Sequence, residues 1–389
     1  IETCTVRRAP AKDVVGPAQK SEEQATFCIL ETAKNPVHLI GAHLWALVTR
    51  RQRWLSAAKL AWKTRPPGGR AHLWQLFYFL EAAVLARHLV KRKVAHLHNH
   101  FANSSCSVAM LASEISGIPF SVMFHGPAIF FEPHYWRIDE KIARARFVTC
   151  ISHFCRSQAM YFSDPAQWGK MRIVHCGVQP AEYDLPRPEA ARPPRVIFIG
   201  RLDAVKGVPL LLEAFAAVRQ GQQDLQLWIV GDGPGRAHYE ALARNLGVAG
   251  AVEFLGYRSM EEVPGLLAQT DLLVLPSFAE GLPVVLMEAL AARVPVIASR
   301  VAGVQELVED GGNGFTIPPG DVESLVARMT QLLADPDLRA KLGQAGRDKV
   351  LAEFDIAQEA AWLGRLFEGS LAGTLPASLR PPRETGGQG

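Results

Sequence analysis

Apolar positions in the C-terminal half fall into short runs closed by glycine or proline, and these runs alternate with stretches at helical spacing. Arg195-Val-Ile-Phe-Ile-Gly200 is the first such run. A short uninterrupted apolar run suits a strand buried on both faces of a parallel sheet. Val208–Arg219 then repeats its apolar residues as a helix does. Leu225–Gly231 reads as a second strand, 236–246 as a helix, Val252–Leu255 as a third strand and 260–269 as a helix. Asp271–Pro276 is a fourth strand, 284–292 a helix, and Pro295–Ala298 and Gly314–Ile317 are further strands. Strands alternating with helices in this way predict a doubly wound parallel sheet.

The N-terminal half carries the same alternation less regularly. Its expected strands are Glu2–Val6, Val94–His98, Phe120–Phe124, Phe147–Ile151 and Ile173–His175, with residues 38–93 mostly helical. A Pro-rich charged segment, Pro186–Pro194, is the expected linker. The expected organisation is a domain over 1–190, a second over 191–355, a helix over 356–372 that crosses back to the first domain, and a disordered tail over 373–389. Open parallel sheets bind ligands beyond the carboxyl ends of their strands. The fold class is therefore α/β, two Rossmann-like doubly wound domains facing a central cleft.

Charge divides the chain. Residues 1–194 hold 25 Lys+Arg against 14 Asp+Glu, whereas the remainder holds 17 against 24. Eleven of the twelve histidines lie in the first part. Within 43–93 there are eleven Lys+Arg, a single acid (Glu81) and four interleaved tryptophans, Trp45, Trp54, Trp62 and Trp74. Such a region reads either as a contact for a membrane surface or anionic partner, or as a solvated face over a core. No nucleic-acid-binding motif accompanies the charge, so nucleic acid is not an expected partner. No segment reaches the roughly 18–20 uncharged apolar residues of a membrane span. Six scattered cysteines do not form a disulfide framework and read as reduced thiols in the cytoplasm. Cys150-x-x-His153-x-Cys155 is read as a buried strand end in preference to a metal site.

The sharpest chemical feature is Glu280-Gly-Leu-Pro-Val-Val-Leu-Met-Glu288. Pro283 suits the first turn of a helix, and Gly281 and Leu282 bring backbone N–H groups to a helix N-terminus that favours anions. Carboxylates on either side suit a ligand bearing phosphates and hydroxyls, although an acid at a helix start also simply favours the dipole. Gly200-Arg-Leu-Asp-Ala-Val-Lys-Gly207 follows the first strand of its half and offers Arg201 and Lys206 to phosphate oxygens. Gly231-Asp-Gly-Pro-Gly235 is a glycine turn with Arg236 where a dinucleotide fingerprint would place its third glycine. Phe124-His125-Gly126 ends a strand in the first half. His98-Asn-His100 sets two imidazoles on one strand face, read as acceptor contacts or structure in preference to metal ligands.

In this order and setting, the Gly-Arg-Leu-x-x-x-Lys-Gly, Gly-Asp-Gly-Pro and Glu-Gly-Leu-Pro-x-x-x-x-Glu segments resemble the retaining glycosyltransferases of family 4, which have the GT-B fold. The resemblance covers residues 94–368. His98-Asn-His-Phe-Ala102, Phe124-His-Gly-Pro127, Lys141–Phe147 and Val174–Val178 are similar to a bacterial exopolysaccharide subgroup of the colanic-acid type. The resemblance implies that Arg201 and Lys206 hold the donor diphosphate, Glu280 the donor sugar and Glu288 the ribose. Gly281, Leu282 and Pro283 then form the loop whose backbone meets the sugar, and His125 stands near the transferred sugar. The base would be held by backbone near Gly233 and around Gly256, Tyr257 and Arg258. It also implies a UDP- or GDP-sugar donor, no metal or other cofactor, and transfer with retention.

The expected protein is thus a cytoplasmic hexosyltransferase acting on a lipid-linked or growing polysaccharide acceptor, at the inner membrane face through residues 43–93. The other readings are a nucleotide-sugar epimerase or phosphorylase of the same fold, or a non-catalytic nucleotide-sugar-binding protein. The chain begins at Ile1 with nothing resembling the first strand and Gly-rich loop of the family, so a truncated N-terminal sheet is expected.

Overall fold

A computed structural model describes residues 3–7, 17–186 and 192–380. They form two compact units: residues up to Val174 with 363–380, and His175–Trp362. The division falls after Val174 and not at 190/191. Residues 175–186 belong to the second unit: Val178 makes a parallel bridge with Asp355, and Arg347 donates to the carbonyl oxygen of Pro180. Residues 187–191 of the expected linker lie outside the described residues, as do Glu2 and 381–389 of the expected first strand and tail.

In the first unit, β1 (Cys4–Thr5) and β2 (Phe27–Cys28) pair in parallel. A second parallel sheet contains β3 (Leu97–His100), β4 (Phe120–Phe124), β5 (Val148–Cys150) and β6 (Met171–Ile173), in that order. β3 starts later than expected because Lys93, with φ of 55°, and Val94 cap the preceding helix, the Val94 amide donating to the Leu89 carbonyl. β6 ends earlier because the amide of His175 leaves the ladder and donates to the buried Glu359 carboxylate. The expected disorder of the tail fails for its described part. The Leu379 carbonyl accepts from the Ile173 amide, and the Pro376 carbonyl accepts from the Arg172 guanidinium, so this segment satisfies polar groups on β6.

In the second unit, β7 (Arg195–Ile199), β8 (Gln226–Val230), β9 (Val252–Gly256), β10 (Leu272–Leu275), β11 (Val296–Ser299) and β12 (Gly314–Ile317) form one parallel sheet. Its order is β12-β11-β10-β7-β8-β9. Val196–Phe198, Leu272–Leu275 and Val296–Ala298 are buried throughout, because helices cover both faces of central parallel strands. The helix Val208–Arg219 begins with Pro209 in its first turn and buries Val208, Leu211, Leu212, Phe215 and Val218, one face at 3.6-residue spacing. The chain order of strands reverses between β7 and β10. Such a reversal opens a crevice at the carboxyl ends of those two strands, where α/β sheets bind ligands. The helix Ile356–Ala372 is shared: it belongs to the second unit through Trp362 and to the first from Leu363.

Candidate active site

The loop after β7 and the loop after β10 meet at this switch point. The amide of Phe278 donates to the Val205 carbonyl, and Gly207 (φ 66°) packs so closely that a Cβ there would lie 2.1 Å from the Pro276 carbonyl oxygen. This contact brings Lys206 and Glu280 together. The Lys206 ammonium donates to Glu280 Oε1 at 2.7 Å, and the Ser277 hydroxyl donates to the same oxygen at 2.6 Å. Glu280 is 8% exposed, so its charge depends on these two donors and not on bulk water.

Pro283 stands at the N-cap, one position before the helix Val284–Ala291, instead of inside its first turn. Its backbone is extended (φ −70°, ψ 118°), which turns the chain out of the loop just ahead of the helix. Gly281 is tied down through its carbonyl, which accepts from the Gly303 amide, and Leu282 is buried. Glu288 sits within the helix and is buried. Its Oε1 accepts from the Tyr183 hydroxyl at 3.0 Å. Burial raises the Glu288 carboxyl above its ordinary value, partly offset by this hydrogen bond. Burial, and then the neighbouring carboxylate, push the Tyr183 hydroxyl up, so it remains a donor.

Arg201 does not join the Lys206–Glu280 pair. It is 71% exposed, with its guanidinium 3.6 Å from Asp203. The turn after β8 is packed against its neighbours: a Cβ on Gly231 (φ 124°) would fall 2.0 Å from the Gly200 carbonyl oxygen, and one on Gly233 2.5 Å from that of Leu202. The Gly231 amide donates to the Gly256 carbonyl, which brings the segment Gly256-Tyr257-Arg258 alongside. Tyr257 is exposed, and Arg258 pairs with Glu262.

The first unit gathers the other candidates. His98 and His100 on β3 have ring centroids 5.1 Å apart, and His100 Nδ1 lies 2.8 Å from His125 Nε2, just beyond β4. His96 Nε2 and His98 Nδ1 each lie 2.7 Å from the Ser121 hydroxyl oxygen. Burial lowers all four imidazoles, helped by the Arg146 guanidinium at His96 and by the cost of charging a second imidazole beside another at His98 and His125: His96 and His125 fall to about 4 and His98 to about 3. At neutral pH the array is uncharged, so each close contact is a neutral hydrogen bond with one proton. Cys150 and Cys155 are buried, and the Cys155 thiol donates to the Phe124 carbonyl. Among the described residues no three His, Cys, Asp or Glu side chains are grouped to hold a metal ion.

Three side chains that partner the candidate residues carry too little sequence signal to be found from the chain alone: Ser277, Tyr183 and Ser121. Ser277 lies in the right loop, three residues before Glu280, but its hydroxyl has a partner only once the turn forms. Tyr183 and Ser121 carry no local signal.

Residues 184–349 match the family of glycosyl transferases group 1, and the second unit therefore carries a domain of that family, with the GT-B type of fold. The chain is similar to the amylovoran biosynthesis glycosyltransferase of Erwinia amylovora, 28% identical over 244 residues and 60% of each chain. It is 34% identical over 186 residues to the lipopolysaccharide core biosynthesis glycosyltransferase of Rhizobium meliloti, covering 48% of this chain and 51% of the relative. The chain spans about half the length of the curated relatives it matches. The Anabaena protein HepE, solved in complex with UDP, superposes with a TM-score of 0.66 at 21% identity over 74% of this chain and 82% of its own.

Proposed function

We propose that the protein is a retaining glycosyltransferase that moves a hexose from a nucleoside-diphosphate sugar to a lipid-linked or growing polysaccharide acceptor. The observation that carries this reading is the Lys206–Glu280–Ser277 cluster at the strand-order reversal. A donor offers an anion to Lys206 and hydroxyl donors to Glu280, so both members of the pair exchange one partner for another. Lys206 and Arg201 then neutralise charge as it develops on the departing diphosphate, without a metal, where preorganised cations contribute most. The C1–O bond to the diphosphate breaks as the acceptor oxygen bonds C1 from the same face. The acceptor's hydroxyl proton passes to the leaving phosphate oxygen, and the configuration is kept. Glu288, held by Tyr183, accepts from the ribose hydroxyls, and backbone near Gly233 and Gly256 receives the base. His125, a neutral donor or acceptor, serves the transferred sugar. The relatives named for amylovoran and lipopolysaccharide core biosynthesis support a polysaccharide acceptor, and we place the reaction at the cytoplasmic face of a membrane.

The test is a thermal-shift screen of UDP- and GDP-sugars followed by transfer assays on the stabilising donor. Stabilisation by one donor and an anomerically retained product are expected. An inverted product, or binding without transfer to any glycan or lipid-linked acceptor, overturns the reading.

A further inference from the structure

The helix Pro36–Thr49 is built inside out. It buries Ala42 and Ala46 and presents Val37, Ile40, Leu44 and Val48 to solvent, with Val48 83% and Val37 75% exposed. These four positions share one face, since offsets of three, four and four residues stay within one stripe of a helix. A helix settled only by its own unit buries its large aliphatics and leaves small residues outside. An ordered row of exposed aliphatics marks a surface that something apolar covers.

Two observations identify the cover. The helix has no acidic residue, and its C-terminal end runs directly into Arg50-Arg51-Gln52-Arg53. There, Trp45, Val48, Arg50, Arg51, Arg53 and Val90 line an open groove of about 640 Å³. The last residue of the apolar stripe therefore shares a wall with three guanidiniums. Arg50 is fixed in place by a hydrogen bond to the Ser116 carbonyl (2.7 Å), and its guanidinium lies 5.7 Å from the Trp45 ring centre. Apolar insertion beside a cationic groove with a tryptophan at its edge is the pattern of a helix lying in the plane of an acidic bilayer.

We infer that the face Val37–Ile40–Leu44–Val48 inserts into an acidic phospholipid surface while the Arg50–Arg53 groove seats a lipid phosphate headgroup. This surface is distinct from the Lys206–Glu280 site and stands or falls independently of the reaction proposed for it. It also refines the basic region over 43–93: Val37 and Ile40 lie ahead of that region.

Vesicle flotation of the full chain tests it, with phosphatidylcholine alone and with phosphatidylglycerol added. The expected result is flotation with the acidic vesicles only, falling as salt is raised. Ile40→Asp with Val48→Asp should lower the bound fraction roughly tenfold or more, because insertion depends on apolar area. Arg51→Glu with Arg53→Glu should do the same on acidic vesicles, roughly tenfold, through lost attraction to the surface. All four positions are exposed, so unchanged circular-dichroism melts are expected of both variants. Failure of the wild type to float, equal flotation on neutral vesicles, or full binding by either double variant overturns the proposal. A dimer in light scattering that Ile40→Asp with Val48→Asp dissociates also overturns it, since the cover would then be a second copy of the chain. Nucleoside-diphosphate binding measured on the same samples separates failure of this surface from failure of the active-site reading.

Discussion

The two units hold their polar groups in opposite ways. In the second, an ammonium and a carboxylate are paired across two loops with a hydroxyl completing the contact. In the first, four imidazoles are neutral and bonded to one another or to one serine. A paired charge site opens only to a ligand that supplies an anion for one partner and donors for the other, because an uncompensated buried charge is costly. A neutral imidazole array offers donors and acceptors without selecting for charge. On the function proposed above, the anionic substrate falls to the second unit and hydroxyl groups to the first.

Lys206→Ala is the most direct way to break that contrast. It removes the cation and leaves the Glu280 charge with the Ser277 hydroxyl, so transfer should fall at least ~10²-fold. Release of nucleoside diphosphate measures it. A loss under about threefold would place the anion elsewhere. Next in size is Gly231→Ala, where the new Cβ meets the Gly200 carbonyl and φ is 124°. A drop in unfolding free energy of about 3 kcal/mol is expected in a denaturant titration. Gly247→Ala is the control, since φ is 72° but nothing lies within 4 Å, and backbone strain of about 1 kcal/mol is all that remains.

The difference between the units also explains what can be read in the chain. The second sheet is legible because its strands are buried on both faces and so read as continuous apolar runs ended by glycine. Lys206 and Glu280 are legible because each lies in a loop directly after such a run. Tyr183 is not: it reaches Glu288 across 105 residues from a Pro-flanked turn. The segment around Pro376 and Leu379 reads as disordered because it has little to bury. Its order comes from carbonyls that satisfy β6, and composition does not encode that. In the helix Pro36–Thr49, apolar spacing gives the helix but not its orientation. A stripe facing a core and a stripe facing outward have the same period.

The imidazole array sharpens the comparison through pH. Its histidines have folded values below the unfolded value of 6.5, so the unfolded chain binds more protons between the two. The stability they contribute is complete above pH 6.5 and is lost as pH falls toward 4 and 3. For His98 alone, with a folded value of about 3, the loss at pH 5 is about 2 kcal/mol. Urea titrations at pH 7 and pH 5 measure it, and His98→Gln should shrink the difference by about that amount, leaving the share of the other three histidines. An equal pH slope in wild type and variant would mean that His98 takes up its proton as readily in the folded chain as in the unfolded one, and the contrast between the units would fail at the centre of the array.

The smallest expected effect concerns how far the second site depends on its support. Tyr183→Phe removes one hydrogen bond to Glu288 and leaves the aromatic packing in place. A hydrogen bond to a carboxylate contributes about 1.5 kcal/mol, so nucleoside-diphosphate affinity should fall roughly tenfold. Calorimetry with the ribonucleotide and its 2′,3′-dideoxy counterpart locates the cause. If Tyr183 acts by aiming Glu288 at the ribose, the variant loses affinity for the first and little for the second. A similar loss for both would instead mean that the 180–184 segment supports the helix Val284–Ala291 as a whole. That outcome has its own structural basis, because Asp184 of the same segment pairs with Arg293 at 2.7 Å and with Arg347 at 3.3 Å. Arg293→Ala would then reproduce the loss with the Tyr183 hydroxyl intact, which separates aiming from support.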